Sequence, residues 1–194
     1  MQIASRTCLV VACVLSSPAV AQDGLVATPK DGSDVEAEVR VDDRTPPPEQ
    51  DEALGLFVGS WRCSGTSFTD AGADVPTSVT LSAKRELGGR WLVVRTELKA
   101  KAKGASPITS QEIWGASRSR GLVRNGATSQ GGFIDATSTG WAGDRFAWTG
   151  TSFQDGKPAK EKLAVIKKSN KEFNLELSLG VDELRVIFEG TCTR

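Results

Sequence analysis

The sequence predicts an all-β protein, a single antiparallel up-and-down β-barrel of about ten strands that follows a short helix and a disordered arm. From residue 58 onward, apolar and polar residues alternate with a period of two, as they do along half-buried strands. Turn signals rich in Gly, Asn and Asp interrupt this pattern at short intervals. Closely spaced hairpins without crossover helices favour an antiparallel meander, which avoids exposed edges by closing on itself.

Residues 1–21 have the pattern of a secretory signal peptide. Arg6 precedes a short apolar run, and Ala19-Val20-Ala21 matches the small-x-small cleavage pattern. We therefore expect cleavage after Ala21 and a periplasmic or secreted protein. Lipid anchoring at Cys13 is the alternative, and it is disfavoured because it would leave almost no apolar region before the cut. The apolar run is too short to span a bilayer, and no other stretch is apolar enough to be a membrane helix.

The next segment, residues 22–45, is acidic and low in aromatic residues, and its composition predicts a disordered arm. Residues 22–52 carry a net charge of −7, whereas residues 53–194 carry +6. The arm is therefore either a solvated linker or a segment that lies against its own domain. Three prolines then precede acidic residues that suit the first turn of a short helix, so we place the barrel domain at residues 46–194.

The alternating pattern and the turn residues together define the strands. Strong turn signals stand at Gly88-Gly89, Asn125-Gly126 and Asp155-Gly156. The predicted strands are 58–68, 76–86, 90–100, 108–115, 120–124, 128–138, 144–153, 159–168, 171–179 and 183–192.

Two cysteines, Cys63 and Cys192, remain after cleavage, and an even pair in an exported protein predicts a disulfide. In a closed barrel with an even number of strands, the first and last strands pair antiparallel. If Cys63 lies opposite Cys192, then Trp61 lies opposite Arg194, where a cation–π contact would help to close the barrel. The sequence therefore predicts structural roles for all four residues.

The chain contains no histidine, which removes the commonest general base and the commonest metal ligand. No metal-ligand cluster or activated nucleophile is visible in the sequence. We therefore expect no catalytic residues, no metal and no cofactor, and a protein that is not an enzyme. The sequence has no Lys/Arg-rich run interleaved with aromatic residues, so we expect no nucleic-acid partner. We expect a monomer.

One motif connects the chain to known barrels. Gly59-Ser60-Trp61 after a short helix, with an Arg on the last strand, resembles the signature of the calycin superfamily, which includes lipocalins and fatty-acid-binding proteins. Residues 56–61 together with 87–93 more closely resemble the bacterial DUF1579 family, which is thought to be barrel-like and related to nitrobindin. The resemblance implies a barrel over roughly residues 50–194. Nitrobindin-type proteins bind haem through a His, and that function does not carry over to a chain without His.

The inward face of strand 90–100 stays open at this point, because both of its faces are partly apolar. If Arg95 points inward, an Arg95–Glu112 pair inside the barrel would orient a ligand carboxylate or satisfy itself. If it points outward, Arg95 and Glu112 are solvated outer residues. Independently of that choice, large aromatic side chains in a small barrel more often fill the interior or cap an end than form a ligand wall. The candidate lumen residues are Trp91, Arg95, Glu97, Glu112, Trp114 and Trp148.

Two functions fit these features. The first is an exported lipocalin-like barrel that binds a small apolar or carboxylate-bearing ligand in its lumen. The second is a protein-interaction or inhibitor module that uses the barrel rim and the acidic arm. An outer-membrane barrel is disfavoured, because strands 171–179 and 183–192 place charged residues on the face opposite their apolar residues.

Overall fold

The structure, a computed structural model, describes residues 48–69, 73–117, 120–154 and 156–194. Within these ranges no helix has the length and apolar character that crossing a membrane requires. The expected signal peptide, the arm and Cys13 lie outside the described residues. The elements are α1 Pro48–Gly55, β1 Gly59–Phe68, β2 Asp74–Glu86, β3 Trp91–Ala100, β4 Ile108–Ser117, β5 Gly121–Thr128, β6 Phe133–Ser138, β7 Trp141–Ala142, β8 Arg145–Gln154, β9 Lys157–Ser169, β10 Glu172–Gly180 and β11 Arg185–Thr193.

The strands form one antiparallel sheet that closes on itself. Consecutive strands pair from β1 to β6 and again from β8 to β11, and the two series meet where β1 pairs with β11 and where β6 pairs with β8. The two-residue strand β7 adds a short pairing at the start of β8. The predicted up-and-down barrel of ten strands is therefore confirmed.

The seam between β1 and β11 has the register that the cysteine spacing predicts. Cys63 lies opposite Cys192 in the ladder, and their sulfur atoms are bonded. The disulfide joins residues that are 129 positions apart, so the bridge encloses nearly the whole barrel. In the chain-entropy description, a loop of this length contributes about 4–5 kcal/mol to stability.

Arg194 binds the segment that connects α1 to β1. Its guanidinium carbon lies 4.2 Å from the centroid of the Trp61 ring, as the predicted cation–π contact requires. Its Nη2 atom also donates hydrogen bonds to the carbonyl oxygens of Leu56, at 2.6 Å, and Val58, at 2.8 Å. The last residue of the sequence thus holds the entry to the first strand.

One end of the barrel, which we call the helix end, is closed by α1 and a cluster of aromatic side chains. The apolar side of α1 is buried there, and the Phe57 ring centroid lies 5.2 Å from that of Trp114 and 5.5 Å from that of Phe146. Trp141 donates a hydrogen bond of 2.8 Å to the carbonyl of Ala53 and so ties the helix to the barrel. We call this cluster the aromatic plug; its members are Phe57, Trp61, Trp114, Trp141, Phe146, Trp148 and Phe173.

The predicted hairpin at Asn125-Gly126 is wrong, because both residues lie inside β5. Gly126 pairs with Glu112 on one side and with Ile134 on the other. A Cβ atom at Gly126 would lie 2.5 Å from Glu112 Cγ, so close side-chain packing is the reason for this glycine. The chain turns instead at residues 129–132, where the φ angle of Gly131 is +77°. Pairing on both sides outweighs the local turn preference.

β11 also departs from its predicted alternation. Its register with β10 shifts next to Ser178, which makes Ile187 an extra residue in the strand. Ile187 joins Phe188 on the inside of the barrel, whereas Leu184 and Val186 are exposed. Leu184 and Val186 therefore do not share the inward face with Phe188, as simple alternation along the strand would require, because a β-bulge reverses the alternation at this point.

Candidate functional site

Between the aromatic plug and the opposite end, which we call the hairpin end, the barrel contains a cavity of about 390 Å³. Its wall is mostly apolar, because the inward position of each strand alternates with an outward polar one. The lining reaches residues next to the hairpins that follow β3 and β10, namely Leu98 and Leu179. Other apolar lining residues are Leu81, Ile134, Leu163 and Leu177.

Three charged side chains line this cavity: Glu112 on β4, Arg124 on β5 and Glu161 on β9. They are 3%, 5% and 4% exposed, respectively. Arg124 Nε donates to Glu112 Oε2 at 2.6 Å, and Nη2 donates to Glu112 Oε1 at 3.3 Å. Arg124 Nη1 donates to Glu161 Oε1. We call these three residues the buried ion network.

Glu112 is fully surrounded by donors. Besides Arg124, the Ser110 hydroxyl donates to its Oε1 at 2.8 Å and Trp114 Nε1 donates to its Oε2 at 2.8 Å. Burial by itself raises the pKa of Glu112, but the charge of Arg124 and these hydrogen bonds more than offset that effect. The pKa of Glu112 therefore lies below its ordinary value, and the side chain is an ionised carboxylate at neutral pH.

Arg124 is held as a cation in the same way. Burial alone lowers the pKa of its guanidinium, and the two neighbouring carboxylates raise it well above the usual range. Its guanidinium carbon also lies 6.0 Å from the centroid of the Trp114 ring. The network thus places one permanent cation between two carboxylates in an apolar cavity.

Glu161 has fewer partners than Glu112. Among the residues that the structure describes, Arg124 alone donates a side-chain hydrogen bond to it. The side chain lines the cavity from β9, opposite Gly150 of β8. The cavity therefore combines an apolar wall with a carboxylate that has acceptor capacity left.

The structure places three of the six candidate lumen residues inside the barrel. Glu112 and Trp114 line the cavity, and Trp114 also belongs to the plug. Trp148 points inward but is completely buried against Trp114 and Phe146, with ring centroids 5.5 Å and 5.1 Å away. Its indole nitrogen has no hydrogen-bond partner in the described part of the chain.

The other three candidates, Trp91, Arg95 and Glu97, lie on the outer face of β3, which corrects the lumen interpretation. The alternate residues Leu92 and Val94 are buried instead, at 1% and 0% exposure. The more apolar face is therefore the one that the barrel encloses.

The neighbours of two of these outer side chains, Arg95 and Trp91, are also known. Glu112 lies opposite Val94, so the Arg95–Glu112 pair that an inward Arg95 would form is absent, and Glu112 pairs with Arg124 instead. The Trp91 ring covers the backbone of Gly115 on the neighbouring strand, which leaves no room for a side chain there.

Sequence reasoning missed Arg124 and Glu161, two of the three charged residues of the cavity. The inward position of Glu161 could have been predicted, because Glu161 lies on the same face of the strand as the apolar residues Leu163 and Val165. Arg124 and Gly126 lie on the same face of β5. Because a turn was predicted at Asn125-Gly126, the predicted strand ended at residue 124 and this face could not be recognised.

Comparison with solved structures finds a protein that shares this fold. The crystal structure of Rv2717c from M. tuberculosis has a TM-score of 0.57 to this chain at 14% sequence identity, with 77% of this chain and 99% of that one covered. A redesigned β-barrel, b11L5F_LGL, covers 73% of this chain and 94% of its own length at 12% identity, with a TM-score of 0.38. No protein-family model matches the chain, so the resemblance to the DUF1579 family is not confirmed. No curated protein sequence matches it either.

Proposed function

We propose that this chain is an exported, non-catalytic binding protein that holds one small, mostly apolar ligand in its lumen. The observation that carries the proposal is the cavity of about 390 Å³ between the aromatic plug and the hairpin end. Ligand sites in proteins commonly occupy about 300–1,000 Å³ and combine an apolar wall with a few polar groups. The cavity and its buried ion network match both features.

The size of the cavity bounds the ligand. At about 30 Å³ per water molecule in the liquid, it has room for roughly a dozen waters or a ligand with a similar number of non-hydrogen atoms. Small ligands gain between about 1.5 and 0.3 kcal/mol per non-hydrogen atom. A value near 0.5 kcal/mol gives about 6 kcal/mol, which corresponds to a Kd of tens of micromolar.

Export is supported by the disulfide. Structural disulfides persist in oxidising compartments such as the periplasm and the extracellular space, and they are rare in the cytosol. The bond between Cys63 and Cys192 is consistent with such a location. The fold itself does not specify a function, so the binding proposal rests on the cavity and its lining rather than on the likeness to Rv2717c.

Titration with the neutral apolar fluorophore 1-cyanonaphthalene, whose size lies within this bound, tests the proposal. Val79 lines the cavity, whereas its neighbour Thr80 is exposed on the outer face of the same strand. We expect saturable binding to the wild type, at least a tenfold loss in Val79→Trp, and unchanged binding in Thr80→Trp. The urea unfolding midpoint of each variant reports whether the barrel is intact.

Two results would count against lumen binding. One is equal binding of the fluorophore to Val79→Trp and Thr80→Trp, which would locate it on the outer surface. The other is the absence of binding to the wild type, together with a native mass equal to that of the bare oxidised chain after purification from the export compartment. Either result would favour the interaction module that uses the rim or the arm.

A further inference from the structure

We infer that the ligand carries a positively charged nitrogen head group, such as an ammonium or amidinium, and that Glu161 receives it. The inference rests on the proposed function, because it concerns the same cavity. It specifies which end of the ligand enters first: the apolar body contacts the wall towards the hairpin end, and the cationic head reaches the buried ion network.

The charges of the network support a cation. The charged side chains that line the cavity are two carboxylates and one guanidinium, so the network is one positive charge short of neutrality. All three residues are at least 95% buried. An uncompensated charge in an apolar environment is costly unless it is paired and hydrogen-bonded. A cationic ligand head would supply the missing charge.

The hydrogen bonds show which of the two carboxylates can accept further hydrogen bonds from a ligand. Glu112 already accepts four hydrogen bonds, two from Arg124 and one each from Ser110 and Trp114. An ionised carboxylate has about four acceptor positions, so Glu112 is saturated. Glu161 accepts one, on Oε1, from the described residues. Its remaining acceptor positions suit the N–H groups of a ligand.

Ser152 provides a second polar group at the same site. It lines the cavity, is 4% exposed, and lies opposite Ala159, two residues nearer the hairpin end than Glu161. No group in the described ranges forms a hydrogen bond with its hydroxyl. A hydroxyl that faces the cavity is able to accept a hydrogen bond from a ligand N–H that binds between Ser152 and Glu161.

An anionic head group fits the cavity poorly. A ligand carboxylate would be the third carboxylate around one guanidinium, and all three nitrogens of Arg124 already donate to Glu112 or Glu161. Carboxylates that surround one guanidinium repel one another strongly where water is excluded. The carboxylate-bearing ligand that the sequence suggested is therefore the disfavoured choice.

Three ligands with the same eight-carbon chain separate the possibilities: octylammonium, 1-octanol and octanoate. Each is used at pH 7 to displace 1-cyanonaphthalene from the oxidised protein. We expect octylammonium to bind about tenfold more tightly than 1-octanol, because charge-assisted hydrogen bonds are about twice as strong as neutral ones. We expect octanoate to bind most weakly.

A matched pair of variants locates the effect. Glu161→Gln keeps the shape and an acceptor for Arg124 but removes the charge, so it should weaken octylammonium about tenfold more than 1-octanol and thereby abolish the preference. Glu189→Gln changes an exposed residue of β11 and should leave the preference intact.

The outcomes separate the two proposals. Binding of 1-octanol and the fluorophore without any preference for octylammonium, or a preference that survives in Glu161→Gln, overturns the cation inference and leaves lumen binding in place. Tightest binding by octanoate has the same consequence. Failure of all three ligands and of the fluorophore overturns both.

Discussion

Replacing Arg124 by methionine removes the cation of the buried ion network while keeping a long side chain in the barrel wall. The wild-type guanidinium donates three hydrogen bonds, two to Glu112 and one to Glu161. In the variant both carboxylates stay buried, at 3% and 4% exposure, without a counter-ion. We predict that this change destabilises the folded barrel more than other single substitutions of charged residues.

The expected magnitude follows from the burial of the network. Removing one partner of a buried ion pair typically costs about 3–5 kcal/mol, because the remaining charge is uncompensated. A barrel of this size has a urea m-value of about 2 kcal/mol per molar. The urea midpoint of Arg124→Met should therefore fall by about 1.5–2.5 M, measured by tryptophan fluorescence on the oxidised protein at pH 7.

Arg120→Met is the matched control. Arg120 also forms an ion pair, with Asp135 at 2.7 Å, but these side chains are 46% and 39% exposed. Exposed pairs contribute less than about 1 kcal/mol, so this variant should shift the midpoint by less than about 0.5 M. If Arg124→Met shifts the midpoint no further than Arg120→Met does, the account of the network as a buried, mutually dependent set of charges is refuted.

The pH dependence gives the prediction a second test. In the wild type the pKa of Glu112 is below its ordinary value, so its stabilising contribution is present above that value and is lost as the pH falls through the folded-state pKa. Without Arg124 the remaining largest influence is burial, which raises the pKa of Glu112. The variant should take up protons more readily, so the stability difference from the wild type should shrink as the pH falls from 7 to about 4. A constant difference would contradict this reasoning.

Two further predictions concern the seam and the packing around Glu112. Replacing both Cys63 and Cys192 by alanine should lower the free energy of unfolding by about 4–5 kcal/mol, because the unfolded chain regains the entropy that closing a loop of 129 residues removes. A loss below about 1 kcal/mol in urea unfolding would contradict this entropic explanation. Gly126→Ala should destabilise the barrel by about 1–3 kcal/mol, because the new Cβ lies 2.5 Å from Glu112 Cγ. Gly55→Ala, whose Cβ has no heavy atom within 4 Å, serves as its control and should leave the thermal midpoint nearly unchanged.

The architecture of the barrel was predictable because it depends on patterns within single strands. Alternation of apolar and polar residues predicts strands, and closely spaced turn signals predict antiparallel neighbours. The seam was also predictable, since antiparallel pairing keeps a constant index sum and the pairing of Cys63 with Cys192 brings Trp61 to Arg194. These features require no knowledge of how distant strands pack.

The site was only partly predictable, because its residues come from separate strands. Glu112 and Trp114 are the sequence candidates that line the cavity, whereas Glu112 pairs with Arg124 and not with Arg95, which one of the two interpretations of β3 placed inside the barrel. Arg124 and Glu161 are 37 positions apart, and no local pattern connects them. Their contact exists because β5 and β9 both present an inward position at the same depth of the closed barrel.

The sequence alone therefore determined the class of fold, the pairing of its first and last strands and the covalent bond between them. The tertiary structure alone decided which face of β3 points inward. It also decided that the strand continues through Asn125-Gly126, and that a bulge in β11 directs the Ile187 side chain towards the lumen. The physical reason is that alternation specifies two faces of a strand without saying which one is enclosed. Closure of the barrel makes that choice. It buries the more apolar face of a strand, and it places each buried charged side chain next to one of opposite charge.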